Sequence, residues 1–314
     1  MIYCMIAEQT YLIPKTLDEA LIYARENAGD FKYLAGGTDV MANRFHENET
    51  SRCLIDISRI LELKEIKNTE TYLQIGPLVK LDNLKTISII KSEFPAMLEA
   101  ANAVASPLIR KSATIGGNLL CENRCIYYNQ SYWWRESAGF CLKCGGEMCI
   151  VTGGTKACFS DVVSDMAPVL ISFDAELELI DTGGRKRIKL EDLYSGDGVS
   201  PRKISDTAII TDILLPVSRD FKAIFKKLRL RKSLEFTSLT SAVSVDNTNK
   251  VKIALGGVDP KVVVVKGTIS DDKEVLISKC IKGARTVNTD MFSRTYRREM
   301  IKVYLTNSFK ELGF

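Results

Sequence analysis

The segment YLAGGTDV, residues 33–40, does most to decide how this chain is expected to fold. An apolar stretch precedes two adjacent glycines, and the same pattern occurs again in TIGGNLL, residues 114–120. Adjacent glycines allow a tight turn and let successive backbone N–H groups approach an anion. Each segment therefore predicts either a phosphate-binding loop or a plain hairpin turn. Neither matches the G-x-G-x-x-G or Walker pattern, which argues against a Rossmann or P-loop fold.

Composition limits the classes of protein to consider. The chain has 314 residues, 46% of them apolar and 26% charged, with a net charge of +4, which is typical of a soluble protein of about two domains. The basic residues form no long tract, so nucleic-acid binding is not expected. No apolar run is long enough to span a membrane, and no signal peptide is recognisable at the start. These features predict a cytoplasmic protein with reduced thiols.

Periodicity outward from the glycine segments predicts an α+β fold. Thr16 and Glu19 have the spacing of a capping box before a helix, and residues 52–58 alternate like a strand. Residues 86–105 have the pattern of one helix. From about residue 217 the pattern changes to antiparallel strands around one helical turn, and residues 271–312 are predicted to be helical. The predicted domains are therefore residues 1–216 and 217–314.

Six cysteines fall within residues 121–158, in a stretch of about 40 residues (121–160) without clear periodicity that we call the insertion. Because His46 is the only histidine, a histidine-rich metal site is excluded and catalysis is expected to depend on a cofactor. Four thiolates suit a tetrahedral zinc ion or an iron–sulfur cluster. Spacing alone leaves Cys144 as an alternative to Cys141, and Cys121 as an alternative to Cys125.

Three motifs together carry a resemblance to a known family. YLAGGTDV, SPLIRKSATIGGNL (106–119) and SDMAP (164–168) resemble the flavin-binding subunits of the molybdenum hydroxylases, which include xanthine dehydrogenase, CO dehydrogenase and aldehyde oxidases. The resemblance implies a two-part FAD-binding domain of the PCMH (vanillyl-alcohol-oxidase-like) type. A smaller α+β C-terminal domain of the CO-dehydrogenase flavoprotein type is expected to follow.

The resemblance also implies which residues contact FAD. The two glycine segments are expected to bind its pyrophosphate, Asp165 is expected on the ribitol or ribose hydroxyls, and Lys226 is expected near the flavin. The residues implied in the two segments are Ala35, Gly36, Gly37, Thr38 and Asp39, and Thr114, Gly116, Gly117 and Asn118.

The insertion resembles one branch of the family, the flavin subunit of 4-hydroxybenzoyl-CoA reductase, through RCIYYNQSYWWRESAGFC, residues 124–141. In that branch such an insertion carries a [4Fe–4S] cluster. The resemblance implies that Cys121 and Cys144 are not ligands. The implied ligands are Cys125, Cys141, Cys149 and Cys158.

The implied function is electron transfer within a molybdenum enzyme. Electrons from a donor such as ferredoxin would pass through the cluster and FAD to a [2Fe–2S] small subunit and a molybdopterin-binding large subunit, in a dimer of heterotrimers. The implied reaction is reductive dehydroxylation of 4-hydroxybenzoyl-CoA to benzoyl-CoA. Two alternatives remain: an FAD subunit of an aldehyde, xanthine or CO-type hydroxylase, and a non-enzymatic binding module that a zinc ion stabilises.

Overall fold

A computed structural model describes residues 9–314. The strands in this range form three sheets and alternate with short helices in the first two thirds of the chain. The strands are β1 (Thr10–Leu12), β2 (Phe31–Leu34), β3 (Cys53–Asp56), β4 (Ile66–Asn68), β5 (Tyr72–Ile75), β6 (Glu176–Asp181), β7 (Gly184–Lys189), β8 (Ile209–Pro216), β9 (Phe221–Leu228), β10 (Leu239–Asp246), β11 (Lys250–Gly256) and β12 (Val263–Thr268).

Most of the α-helices are shorter than three turns, and the last one is by far the longest. The helices are α1 (Leu17–Glu26), α2 (Val40–Phe45), α3 (Ser88–Glu93), α4 (Pro95–Ala103), α5 (Pro107–Arg110), α6 (Ile115–Leu119), α7 (Tyr132–Ser137), α8 (Met166–Ser172), α9 (Lys273–Gly283) and α10 (Arg294–Leu312). Short 3₁₀ turns lie between several of them. No helix in the described part of the chain is long and apolar enough to cross a membrane.

The N-terminal sheet is parallel and has the order β1-β3-β2. Helix α1 crosses from β1 to β2 and buries Leu17, Ala20 and Leu21 against this sheet. Its start follows the predicted capping box: the Thr16 hydroxyl accepts from the Glu19 N–H at 3.2 Å, and the Glu19 carboxylate accepts from the Lys15 N–H at 2.6 Å.

The second sheet is antiparallel and has the order β4-β5-β8-β6-β7. Its core includes Leu73, Leu177 and Ile213, which pack with helices α4 and α8. The hairpin β6–β7 turns at Thr182 and Gly183.

The third sheet, β12-β11-β10-β9, is antiparallel and separates two cores. One face places Phe225, Ala242 and Ala254 in the core with α4 and α8, and the other packs against α9 and α10. The sheet changes between β8, which ends at Pro216, and β9, which begins at Phe221. The predicted α+β class is confirmed.

Two local predictions are wrong. Residues 86–105 form two helices rather than one, because Pro95 has no N–H to continue α3 and instead begins α4. Loops, rather than the helical turn predicted among the C-terminal strands, join β9 to β12 in succession.

Candidate cofactor-binding site

The first glycine segment forms the connection between β2 and α2. Residues 35–39 leave the end of the parallel strand, and Gly37 has a φ of +72°, which a residue with a side chain rarely adopts. Within residues 9–314, the N–H groups of Gly36, Gly37, Thr38 and Asp39 donate to no other group. Four consecutive free donors at the end of a strand are suited to an anion such as pyrophosphate.

The second glycine segment lies directly beside the first. An ideal Cβ on Gly36 would be 2.1 Å from the carbonyl oxygen of Ser112, two residues before Thr114. Glycine is therefore required at residue 36, because any side chain would separate the two loops. Gly116 approaches Pro77 equally closely, with 2.5 Å between an ideal Cβ and the proline Cβ.

The second segment differs from the first in that the N–H groups of its glycines already donate to other groups of the protein. The Gly116 N–H donates to the carbonyl of Pro77, and the Gly117 N–H donates to the Thr114 hydroxyl at 3.0 Å. Thr114 thereby caps α6 and is almost fully buried. Asn118 accepts from the Ser164 hydroxyl at 2.7 Å and from the Met166 N–H at 3.1 Å. The second segment thus connects the first loop to the SDMAP segment.

Asp165 lies at the start of α8 and is 3% exposed. Burial raises the pKa of its carboxyl, while the ammonium of Lys227 opposes that shift at 2.6 Å. Thr240 also donates to this carboxylate, at 3.2 Å. The Lys227 ammonium is fully satisfied, since it donates in addition to the carbonyls of Ala103 and Glu235.

The lysine expected from the sequence near the flavin, Lys226, does not join this group. It lies on the opposite face of β9 and pairs with Glu311 of α10 at 2.6 Å. Alternate residues of a strand face opposite sides, so Lys227 shares a face with Phe225, which packs in the core with α4 and α8. This parity is readable from the sequence, and it places Lys227 rather than Lys226 beside Asp165.

Asp39 contacts the insertion. One carboxylate oxygen pairs with the guanidinium of Arg124, and the other accepts from the Glu122 N–H at 2.9 Å. The Arg124 guanidinium also lies 4.5 Å from the ring centroid of Phe236. The first loop and the beginning of the insertion are therefore one continuous structure.

The insertion is closed at its base. Arg124 and Asp161 form an antiparallel backbone pair, with N–H to carbonyl distances of 2.9 and 2.8 Å. Gly198 packs against its last cysteine, with 2.7 Å between an ideal Cβ and the Cys158 sulfur. Gly146 lets the chain reverse, since an ideal Cβ there would be 1.7 Å from the Phe140 carbonyl oxygen.

The four predicted cluster ligands are all buried, and they are free thiols. Burial is the main cause that raises the pKa of Cys125 to about 12, with smaller effects from Asp161 and Cys158. Burial also raises the pKa of Cys158, with a smaller effect from Cys149. Thiolates at these buried positions would need a metal or a cation nearby.

Cys141 and Cys144 lie together, with 3.7 Å between their sulfurs. The Cys141 thiol donates to Cys144, which raises the pKa of Cys141 and lowers the pKa of Cys144. Arg135 lies 3.5 Å from the Cys144 sulfur and favours its thiolate form. The two sulfurs therefore occupy one place in the insertion.

The cysteines do not form a closed single-ion site. In residues 9–314, no three His, Cys, Asp or Glu side chains are arranged to hold a metal ion. A single zinc ion requires four sulfurs about 2.3 Å from one centre, whereas a cluster distributes its ligands over several irons. The four buried thiols are of the donor type that an iron–sulfur cluster takes.

Solved structures share this fold across nearly the whole chain. Reconstituted CO dehydrogenase from Oligotropha carboxidovorans aligns with a TM-score of 0.74 and 20% identity, over 97% of each chain. Quinoline 2-oxidoreductase from Pseudomonas putida 86 aligns with a TM-score of 0.72 and 16% identity, over 97% of this chain and 96% of that one. The fold is therefore that of the aligned chains of these two enzymes.

Sequence comparison defines the family. The profile described as the FAD binding domain in molybdopterin dehydrogenase matches residues 6–218. The aldehyde oxidoreductase FAD-binding subunit PaoB of Escherichia coli K12 is 32% identical over 262 residues, 80% of this chain and 82% of PaoB. The glyceraldehyde dehydrogenase medium chain of Sulfolobus acidocaldarius is 23% identical over 98% of this chain and 99% of that chain.

This chain belongs to the family of FAD-binding subunits of the molybdenum hydroxylases. FAD is accordingly its cofactor, and the predicted family is confirmed.

Proposed function

We propose that this chain transfers electrons between FAD and a second redox group held by the insertion, as one subunit of a molybdenum enzyme. The observation that carries the proposal is the assembly of the two glycine segments and Asp165 into one site that is continuous with the cysteine insertion. The N–H groups of residues 36–39 bind the pyrophosphate. The carboxylate of Asp39 pairs with Arg124 of the insertion, so it does not present an unpaired negative charge to the phosphates.

The second redox group is a [4Fe–4S] cluster on Cys125, Cys141, Cys149 and Cys158. FAD accepts one or two electrons and the cluster accepts one, which supplies the redox chemistry of the subunit. The residues around the four thiols determine the environment in which this chemistry takes place. Burial of the four thiols excludes water, and the Lys143 ammonium offsets the negative charge of a Cys158 thiolate. The Lys143 ammonium lies 4.9 Å from the ring centroid of Tyr128, which is also buried.

The partners are a [2Fe–2S] small subunit and a molybdopterin-binding large subunit, with ferredoxin as donor, in a cytoplasmic dimer of heterotrimers. The reaction is reductive dehydroxylation of 4-hydroxybenzoyl-CoA at the molybdenum. What supports this substrate is the resemblance of residues 124–141 to the flavin subunit of the corresponding reductase.

A second candidate function is electron transfer for aldehyde oxidation. It is favoured by the names of two relatives that align over most of this chain, an aldehyde oxidoreductase subunit and a glyceraldehyde dehydrogenase chain. Electrons would then leave the molybdenum rather than reach it. The flavin and the insertion would carry electrons equally well in either direction. The substrate of the partner subunit therefore distinguishes the two functions.

The test uses the assembled enzyme, purified with its partner subunits. We expect flavin absorbance, four irons per copy of this chain beyond those of the partner, and reduction of 4-hydroxybenzoyl-CoA with a low-potential donor. Oxidation of aldehydes without acyl-CoA reduction would favour the second candidate. A preparation with zinc and no flavin would reject both and support the binding-module alternative.

The cluster is tested separately by iron and sulfide analysis of alanine variants. Replacing Cys125, Cys149 or Cys158 should remove the additional iron, whereas Cys121→Ala should retain it. Cys141→Ala and Cys144→Ala form the decisive pair, since their sulfurs are 3.7 Å apart. We expect loss of iron from Cys141→Ala only, and the reverse result would make Cys144 the ligand.

A further inference from the structure

A chain of partly buried charges connects the first glycine loop to the cysteines. It begins at Asp39, whose backbone N–H is one of the four free donors and whose side chain contacts Arg124 and the Glu122 N–H. The backbone of Arg124 is itself fixed by its pairing with Asp161. The backbone N–H of Asp39 therefore faces a bound anion, whereas its side chain faces the insertion.

The chain continues from Glu122 to Lys143. The Glu122 carboxylate lies 2.6 Å from the Lys143 ammonium, and the lysine side chain is only 5% exposed. Lys143 also donates to the carbonyl of Gly198. It is located between Cys141 and Cys144, so the charged chain ends within the turn that carries these two thiols.

We propose that this chain of charges couples FAD binding to the order of the insertion, with Glu122, Arg124 and Lys143 as positioning residues. An anion on the N–H groups of residues 36–39 fixes the backbone of Asp39, and its carboxylate then holds Arg124 and Glu122. Glu122 in turn holds Lys143 and the turn of residues 141–146. Coupling is reciprocal, so an ordered insertion raises the affinity for FAD by the same factor. This inference rests on the proposed FAD site.

The charges of Asp39 and Arg124 support a favourable coupling between FAD binding and an ordered insertion. A pyrophosphate beside Asp39 would be repelled by the carboxylate if that group were unpaired. Arg124, whose side chain is 12% exposed, neutralises it from within the insertion. Binding of FAD is therefore more favourable when the insertion is in place, because Arg124 of the insertion supplies a cation beside Asp39.

The first experiment measures amide hydrogen exchange of the full chain with and without FAD. We expect FAD to slow exchange in residues 36–39 and also in residues 141–146, where the Cys144 and Gly146 N–H groups donate to the Cys141 carbonyl. Protection confined to residues 36–39 would overturn the inference, and this measurement requires no variant.

The second experiment titrates FAD into Lys143→Met, Arg124→Met and Lys156→Met, the last being the exposed control in the same insertion. Lys143→Met and Arg124→Met should weaken FAD binding about fivefold or more, and Lys143→Met should lose the protection of residues 141–146. Lys156→Met should match the unaltered chain. Wild-type affinity and protection in Lys143→Met would overturn the inference.

Two further variants separate coupling from misfolding. Glu122→Gln keeps the size of the side chain and removes its charge, so it should resemble Lys143→Met, while Lys143→Arg should restore most of the affinity. If the unaltered chain binds no FAD, the proposed function fails. If it binds FAD and all variants bind equally well, only the coupling fails.

Discussion

At the scale of single residues, two neighbouring lysines on β9 have different surroundings. Lys227 is buried against Asp165, whereas Lys226 reaches Glu311 at the surface. Removing one partner of a buried pair leaves an uncompensated charge, while an exposed pair contributes little because water screens it. The adjacent residues therefore provide a matched comparison.

Lys227→Met should lower the free energy of unfolding by about 3–5 kcal/mol, because Asp165 would be left buried and unpaired. Lys226→Met should lower it by about 1 kcal/mol or less. Urea denaturation of the two variants measures the difference. Equal losses would mean that Lys227 does not hold Asp165 in solution.

Glu122 predicts a dependence of stability on pH. Burial alone would raise the pKa of its carboxyl, but the pairing with Lys143 outweighs burial and lowers the pKa to about 2. A folded-state pKa below the usual 4.5 contributes stability that is present above pH 4.5 and is lost as the pH falls toward 2. The difference in thermal unfolding between the unaltered chain and Glu122→Gln should narrow over that interval. A constant difference would contradict this assignment.

At the scale of elements, the β2–α2 connection depends on glycine for a steric reason. Gly36 meets the Ser112 carbonyl oxygen, whereas Gly154 in the insertion has only a side-chain oxygen at 3.4 Å from an ideal Cβ. Backbone atoms cannot move aside as a flexible side chain can. The first loop is therefore held at a fixed distance from the second.

Gly36→Ala should lower the free energy of unfolding by about 1–3 kcal/mol, the usual cost of overpacking, and should also weaken FAD binding. Gly154→Ala should change neither by a measurable amount. Chemical denaturation and FAD titration of both variants provide the test. Normal FAD affinity in Gly36→Ala would show that close contact between the loops is not needed.

At the scale of the whole molecule, the two predicted domains share a core. Phe225, Ala242 and Ala254 of the third sheet pack with residues of α4 and α8. A second connection is polar: the fully buried Arg297 of α10 lies 3.0 Å from Asp161 at the base of the insertion. The C-terminal sheet is thus part of the support for Asp165 and for the insertion.

Residues 1–216 alone should therefore fail to fold cooperatively, since removing the third sheet exposes the apolar faces of α4 and α8. We expect the fragment to bind a hydrophobic dye and to show no sharp thermal transition, in contrast to the full chain. A cooperative transition with FAD binding in the fragment would show that the first domain is independent.

The sequence by itself determined the features that depend on local chemistry. The capping box of α1, the β6–β7 turn and the glycine segments follow from short-range hydrogen bonding and steric freedom, so they are visible in a few adjacent residues. The motifs containing Gly36, Gly116 and Asp165 were sufficient to identify the family, and with it the α+β class.

Only the tertiary structure decided which distant groups meet. In the structure, Asp165 pairs with Lys227 and not with Lys226. Asp39 pairs with Arg124, which is 85 positions away in the sequence. It also showed that the N–H groups of the first loop are free, whereas those of Gly116 and Gly117 in the second are occupied. The physical reason is that burial and charge pairing depend on how separate elements pack, which residue types and spacing do not specify.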